Sequence, residues 1–452
     1  MVSLGYMRGI QKMSTLKKEI GLFGGISILA GIMIGSGIFV FGSSILQRTG
    51  YLLGLSLLAW ILGGLLTLVS ALTYAELGTM FPETGGYYVY LKRAYGKKVA
   101  FLSGLMNFVL SSSGSIALLA LAFSEVLNYI VPLGVFYKWV AALVIVLLSV
   151  INYVGLKAGT WVQKVFLIAK IIPIIGIIIV GIFMGTAFPD LSFTTSEPVG
   201  FFQLLTMIGF GVVGTLWAYE GWTNLNTVAG EMKDVKKDLP KALSISTIGV
   251  SVIYVLFIFS LYRILGAATT ISLAEGEAVL PIPAMMSLFG ETGMRIVFFS
   301  ILISIFGSLN GSIMVFPRVY YAMAEDQVFF KAFKKVDERF KTPSIAILGS
   351  GVMALILLVS NFQDLLTFVV FGGLIFNTLI FFSIYLFRRR SPELNRPYKV
   401  IGYPVVPALA ILGMLLLIVS TLVESLVPSL IGFGVLIMGY FLYDIFLKVR
   451  KV

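Results

Sequence analysis

The chain has 452 residues, 58% of them hydrophobic and 12% charged, with a mean hydropathy of +1.00, which excludes a soluble globular domain. Cysteine and histidine are both absent, and with them go disulfides, thiolate or imidazole metal sites, and cysteine or histidine catalysis. The net charge of +12 reads as basic loops held on one side of a bilayer rather than as a nucleic-acid surface.

Apolar runs able to cross about 30 Å of hydrocarbon recur throughout, and the pattern predicts about twelve membrane helices in an all-α fold. They fall near 20–47, 51–80, 97–130, 137–155, 162–184, 203–231, 242–265, 292–324, 344–360, 364–387, 404–425 and 428–448. The start of the chain is polar up to Lys18, unlike a cleaved signal peptide, and the span that follows is long enough to remain as an anchor. Basic residues cluster in alternate loops, at Arg8, Lys12, Lys17 and Lys18, at Lys92 to Lys98, at Lys233 to Lys241, at Lys331 to Lys341, at Arg388 to Arg390 and at Lys448, Arg450 and Lys451. That bias predicts cytoplasmic N- and C-termini.

Span one contains Ile34-Gly35-Ser36-Gly37-Ile38-Phe39. Two glycines around a serine make unwinding cheap, and the free N–H groups of a half-helix beginning near Gly37 can hold a carboxylate. Carbonyls ending the preceding half, near Ile34, can take an ammonium. Close helix packing through small residues is the alternative.

Span two ends near Glu76 and leads into Pro82-Glu83-Thr84-Gly85-Gly86-Tyr87-Tyr88, which reads as a re-entrant or interfacial element. Span five carries Lys170 in mid-span, where an ammonium needs acceptors; the carbonyls freed by the first break are the candidates, in the kind of place a coupling cation uses. A loop from Thr186 to Gly200, with Pro189, Asp190, Glu197 and Pro198, then separates spans one to five from six to ten. An odd number of helices per unit turns the second upside down relative to the first, giving an inverted repeat.

Span six holds a second glycine-rich stretch, Gly211 to Gly221, with Trp217-Ala218-Tyr219-Glu220 inside it. Two broken helices at matching places in two halves point to a transport site. Glu220 is a carboxylate deep in an apolar run, expected to face the interior with a partner. It can accept a substrate ammonium, select a polar side chain or carry a proton; a structural pair or a helix cap is the plainer reading. Trp217 and Tyr219 can wall or gate the cavity, or simply pack. Span eight offers Ser308 and Asn310 as cavity-lining groups, and Arg318 with Glu325 as an inner lock or as ordinary interfacial charges.

These segments, with Lys18-Glu19-Ile20-Gly21-Leu22, Glu76-Leu77-Gly78, Ala218-Tyr219-Glu220-Gly221-Trp222, Gly230-Glu231-Met232-Lys233, Leu309-Asn310-Gly311 and Phe316-Pro317-Arg318-Val319, resemble the L-amino-acid transporter family of the amino acid–polyamine–organocation superfamily. The resemblance covers nearly the whole chain and is strongest to bacterial members of serine/threonine-exchanger type.

It implies one transport domain over 1–452, with repeat one at about 18–185, repeat two at about 200–390 and two added helices at about 400–450. It also implies sodium-independent exchange of free amino acids by alternating access in a bacterial plasma membrane, with small neutral substrates such as serine, threonine and alanine first and aromatic ones second. Ser36, Gly37 and Ile38 would then bind the substrate carboxylate, with Gly35 also among the substrate-binding residues. Ile34 and the Trp217-Ala218 backbone would take the ammonium, Trp217 would gate, and Lys170 would stand in for sodium. No cofactor or metal is expected. Animal members join a heavy chain through a cysteine, which this chain lacks. Glu220 departs from members with a small residue at that place. Proton symport through Lys170 or Glu220 is the rival reading, an amino-acid-gated channel or sensor a remote one, and a membrane enzyme is not expected.

Overall fold

Hydrocarbon leaves an apolar chain the choice of helix or closed barrel, because every backbone polar group must find its partner within the protein. The computed structural model describes residues 16–193, 200–360, 362–424 and 426–449, and it is all-helical. In chain order the helices are α1 Leu22–Met33, α2 Gly37–Arg48, α3 Leu53–Met80, α4 Tyr87–Tyr95, α5 Lys97–Met106, α6 Ser112–Ile130, α7 Tyr137–Tyr153, α8 Leu156–Met184 and α9 Phe201–Ala218. There follow α10 Val235–Leu265, α11 Ala267–Glu275, α12 Pro281–Val315, α13 Pro317–Glu325, α14 Ser344–Leu357, α15 Phe362–Arg390, α16 Val405–Glu424 and α17 Leu426–Val449. A π-helical turn, Asn107–Ser111, joins α5 to α6, and a 3-10 helix, Asn224–Glu231, lies between α9 and α10. The β pairing among the described residues is an isolated bridge between Ile20 and Met232.

Eight helical stretches among the described residues are long and apolar enough to cross a membrane, and α1 with α2, bent by 47° at their junction, make a ninth. α14, α15 and α17 occupy the remaining segments expected from the sequence. Arg8, Lys12, Glu197, Pro198, Arg450 and Lys451, singled out above, lie outside the described residues.

The boundaries depart from expectation in instructive ways. α8 starts at Leu156, not near 162, and runs through Pro173. Pro281 opens α12, where its missing N–H would have no partner, and Gly290 at φ +58°, ψ −145° breaks the helix within, so the eighth span begins just past it, close to the expected 292. The sixth span, expected to reach 231, stops being α-helical at Ala218.

At the centre, α1 is enclosed by α8, α10 and α12, while α2 lies against α9 and α11. The glycine-broken first span is therefore wrapped in protein, where non-helical backbone is tolerated. The Gly85-Gly86 turn is equally enclosed. Gly85 donates its N–H to the Thr227 carbonyl at 2.9 Å, and the Tyr90 hydroxyl donates to Asn226 Oδ1 at 2.9 Å. The following α4 buries Tyr87, Tyr88, Val89, Tyr90 and Leu91. The loop is thus a buried prop under the 3-10 helix.

Gly86 sits at φ +49°, and a Cβ there would stand 2.8 Å from the Asn226 carbonyl carbon and the Thr227 nitrogen; Gly96, at φ +89°, has open space around the same position. Gly86 at ψ −116° and Gly96 at ψ 173° both lie where only glycine is at ease, so both alanine variants carry backbone strain of about 1–3 kcal/mol, and Gly86→Ala adds overpacking of about 1–3 kcal/mol. Thermal unfolding of the detergent-solubilised protein should show a clearly larger loss for Gly86→Ala than for Gly96→Ala.

Candidate binding site

α1 ends when Ile34 leaves helical geometry at φ −78°, ψ 78°, and α2 begins after Ser36, whose hydroxyl makes no capping bond. The Ser36 carbonyl accepts the N–H groups of Phe39 and Val40. The N–H groups of Ser36, Gly37 and Ile38 precede the first intrahelical bond and have no acceptor in the helix. Ser36 and Gly37 are half-buried, whereas Ile34, Gly35 and Ile38 are buried. The helix start and its positive dipole end thus meet open space at Ser36 and Gly37.

The second break is shorter than the sequence suggested. Gly211 and Gly214 remain inside α9 and serve packing: a Cβ on Gly211 would meet Thr49 Cγ2 at 2.6 Å. Helical geometry ends at Tyr219, Glu220 donates its N–H to the Trp217 carbonyl at 3.2 Å, and Gly221 takes φ +114°. The segment resumes as a 3-10 helix, not as an α-helix.

The two breaks interlock through their glycines. A Cβ on Gly37 would lie 2.9 Å from Ala218 Cα, and one on Gly221 would lie 2.9 Å from Ile32 Cγ2 and 3.3 Å from the Met33 nitrogen. Each glycine therefore admits the backbone of the other broken span. Tyr254 of α10 spans the crossing, its hydroxyl 2.8 Å from the Met33 carbonyl and 3.3 Å from that of Ala218.

Lys170 is 0% exposed. Its Nζ donates to the carbonyls of Gly31 at 2.8 Å, Ile34 at 2.7 Å and Ser304 at 3.0 Å, and lies 3.4 Å from Ser308 Oγ. A Cβ on Gly307 would stand 3.0 Å from Lys170 Cε and Nζ, so the glycine makes room for the ammonium. Ser308 reinforces the arrangement, with its hydroxyl 3.0 Å from the Gly31 carbonyl and 3.2 Å from those of Ile32 and Ile34. The Ile34 carbonyl thus already holds the Lys170 ammonium, with the Ser308 hydroxyl beside it, which leaves it unsuited to the ammonium role considered for it.

Glu220 is surrounded by protein yet exposed, while Ala218, Tyr219, Gly221 and Trp222 around it are buried. The carboxylate therefore opens into a cavity within the bundle. Gly221 N–H donates to it, and no lysine or arginine among the described residues forms an ion pair with it, contrary to the partner expected. Trp217 is half-buried beside it. Tyr219 does not line the space. It is buried, its hydroxyl donates to the Trp60 carbonyl at 3.0 Å, and its ring lies 5.0 Å from that of Tyr254.

Asn310 also turns away from the cavity. Its Nδ2 donates to Gln163 Oε1 at 2.9 Å and to the Gly159 carbonyl at 3.2 Å, and its Oδ1 accepts from Asn152 at 2.9 Å. Arg318 does not pair with Glu325. Its guanidinium forks onto Glu231, Nε to Oε1 at 2.9 Å and Nη2 to Oε2 at 3.1 Å, with Nη1 on the Met314 carbonyl, and the two side chains are 1% and 0% exposed. Glu325 is half-buried, and its neighbour Asp326 instead pairs with Lys92 at 2.6 Å. Glu76 takes Arg388 bidentately at 3.0 and 2.7 Å and accepts the Val400 N–H at 2.7 Å.

Sequence reasoning missed Tyr254, Gln163 and the role of Glu231. Only Glu231 carried a signal, as a carboxylate close to an apolar span that needs a partner.

Comparison with known proteins gives consistent results. A family profile described as amino acid permease matches residues 20–443. The chain is 37% identical over 414 residues to the serine/threonine exchanger SteT of Bacillus subtilis (strain 168), covering 91% of this chain and 92% of that one. It is 31% identical over 426 residues to the b(0,+)-type amino acid transporter 1 of Homo sapiens, covering 92% and 84%. Against the large neutral amino acids transporter small subunit 2 of Mus musculus it is 31% identical over 447 residues, covering 95% and 81%.

Removing one member of a buried ion pair strands the other, at a cost of about 3–5 kcal/mol, whereas neutral replacement of both is far milder. Arg318→Met should therefore lower the unfolding temperature sharply, and Arg318→Met with Glu231→Gln should recover most of the loss. Equal unfolding temperatures for the single and double variants would show that Glu231 does not depend on Arg318.

Proposed function

The chain belongs to the amino acid permease family, and we propose that it exchanges L-amino acids across a bacterial plasma membrane by alternating access, without sodium. The family moves its substrates and does not transform them. Small neutral amino acids fit best, serine and threonine first and alanine with them, in keeping with the named activity of the Bacillus subtilis relative. The basic loops support cytoplasmic termini, and a chain without cysteine cannot be disulfide-linked to a second subunit.

The observation that carries the reading is the Lys170 ammonium, held by the Gly31, Ile34 and Ser304 carbonyls. A free cation bound there would have to be released in every cycle; a side chain stays. The carboxylate of the substrate is assigned to the N–H groups at Ser36, Gly37 and Ile38. Its ammonium goes to the Ala218 carbonyl and Glu220, and Trp217 serves as the gate. The buried Arg318–Glu231 pair holds the closed end and takes over the gating role first considered for Arg318 with Glu325. Glu220, without an ion-pair partner among the described residues, supports one second reading, proton-coupled symport.

Uptake of labelled serine into sodium-free proteoliposomes, at equal pH on both sides, tests this. Exchange requires uptake only when unlabelled serine is inside. Uptake into empty vesicles that rises with an inward proton gradient would replace exchange by symport. Lys170→Ala removes a charged donor from three carbonyls, so exchange should fall roughly tenfold or more in protein that still elutes as a folded monodisperse species. Glu220→Gln should change substrate range or affinity rather than yield. Wild-type rate and affinity in both variants would retire the roles given to these residues.

A further inference from the structure

Two parallel helices part around the start of the first span. α8 and α10 touch near their far ends, where a Cβ on Gly181 would stand 2.8 Å from Ser260 Cα and one on Gly185 would stand 2.8 Å from Arg263 Cβ. Near their starts α1 lies between them. A Cβ on Gly24 would be 3.6 Å from Thr160 Cγ2 of α8, one on Gly25 would be 3.2 Å from Ala242 Cβ of α10, and the Ser246 hydroxyl of α10 donates to the Ile26 carbonyl at 3.5 Å. The pair therefore opens as a V around the first turns of α1, at the end assigned above to the cytoplasm. Phe23 of α1 is 54% exposed there, and the Lys164 ammonium of α8 lies 5.6 Å from the centre of its ring.

Both arms of the V carry lysines at the mouth and apolar side chains deeper in. On α8, Lys157, Trp161 and Lys164 share a face with the exposed Val165 and Ile168; on α10, Lys241 shares a face with the exposed Ile245 and Ile248. Trp161 is 65% exposed between the lysines and the apolar stripe, the depth at which an indole sits in a bilayer. Lys17 and Lys18, just before α1, and Lys237, one turn before Lys241, are exposed as well. Among the described residues none of these lysines forms an ion pair. The acids close to them in sequence are Glu19, Asp234 and Asp238, and Asp234 is engaged in capping α10 through the Lys237 N–H at 3.3 Å. Basic residues elsewhere on the same side are neutralised within the protein: Lys92 by Asp326, Arg93 by Glu83, Lys98 by Asp444, and Arg388 and Arg396 by Glu76.

Unpaired ammonium groups above an apolar, aromatic-edged cleft match a molecule that is anionic at one end and hydrocarbon at the other. We propose that the mouth of this cleft binds the headgroup of an anionic phospholipid, with Lys157 and Lys164 on one arm, Lys241 on the other, and an acyl chain lying along Phe23. Lysine suits the task, because its stem follows apolar surface while its charge stays among the headgroups. A headgroup held there joins α8 to α10 across the start of α1, the helix whose other end supplies carbonyls to Lys170. The site goes beyond the exchange reading and does not depend on it.

Tryptophan fluorescence tests this, because Trp161 marks the site and Trp139, 73% exposed at the opposite end of the α7–α8 pair, serves as its control. In proteoliposomes of phosphatidylcholine, brominated phosphatidylglycerol should quench the wild type with an apparent affinity about tenfold above that of brominated phosphatidylcholine, and about 1 M salt should shrink the preference. Trp139→Phe should keep the preference and Trp161→Phe should lose it. Combined Lys157→Gln, Lys164→Gln and Lys241→Gln should make the two lipids quench alike. Combined Arg389→Gln, Arg390→Gln and Lys399→Gln removes as much charge from exposed positions at the end of α15 and beyond it, and should leave the preference intact. Equal quenching by the two lipids in the wild type would overturn the site, as would an equal loss in both triple variants, which is the mark of diffuse surface charge. If the first triple variant does not fold, the wild type and the two tryptophan variants decide. No step of the readout requires transport, so failure of the exchange reading leaves this test standing.

Discussion

The ammonium of Lys170 on the carbonyls of Gly31 and Ile34 is the contact on which the rest of the architecture depends. A helix interrupted at membrane depth leaves backbone acceptors that water cannot reach, and each costs several kcal/mol if unmet. One long side chain from α8 meets two of them, and Ser308 shares the load. The cation is in turn held by what it stabilises, because a buried ammonium needs acceptors as much as the carbonyls need donors. α1, α8 and α12 are thereby tied at a single point.

With that point fixed, the N–H groups at the start of α2 stand without a helical acceptor. The reciprocal seating of Gly37 on Ala218 and of Gly221 on Ile32 brings the two irregular segments into one place, and Tyr254 holds both carbonyl ends. Half-buried Ser36 and Gly37 at the helix start and the exposed Glu220 carboxylate are thereby brought near one another. The neighbouring aromatic residues Tyr219, Tyr254 and Trp60 fill the volume behind them.

The features legible in the sequence were those that hydrocarbon makes expensive. Lys170 and the Gly35-Ser36-Gly37 break match each other on sequence alone, because a mid-span lysine and unpaired carbonyls each require the other. The extent of the second break was not legible. Gly211 and Gly214 look like breakpoints but admit Thr49 and Ile45 of the facing helices, and sequence cannot tell a glycine that bends a helix from one that lets a neighbour approach. Partner choice was equally hidden. Arg318 has Glu325 two turns away on its own segment, yet it takes Glu231 from another part of the chain, because burial rewards the bidentate geometry over sequence proximity. Tyr219 and Asn310 were over-read for a related reason: both are polar groups in a span, and both are satisfied by neighbours rather than by a ligand.

The 3-10 winding of Asn224–Glu231 also sets a length. Eight residues at about 2.0 Å each cover about 16 Å, whereas an α-helix of the same residues would cover only about 12 Å. The tighter coil thus acts as a spacer, letting a short piece of chain extend far enough for Glu231 to meet Arg318 and for Met232 to pair with Ile20. Wound the other way, the same residues would fall about 4 Å short of both anchors, so the reach of this segment is set by its pitch and not by its residue count.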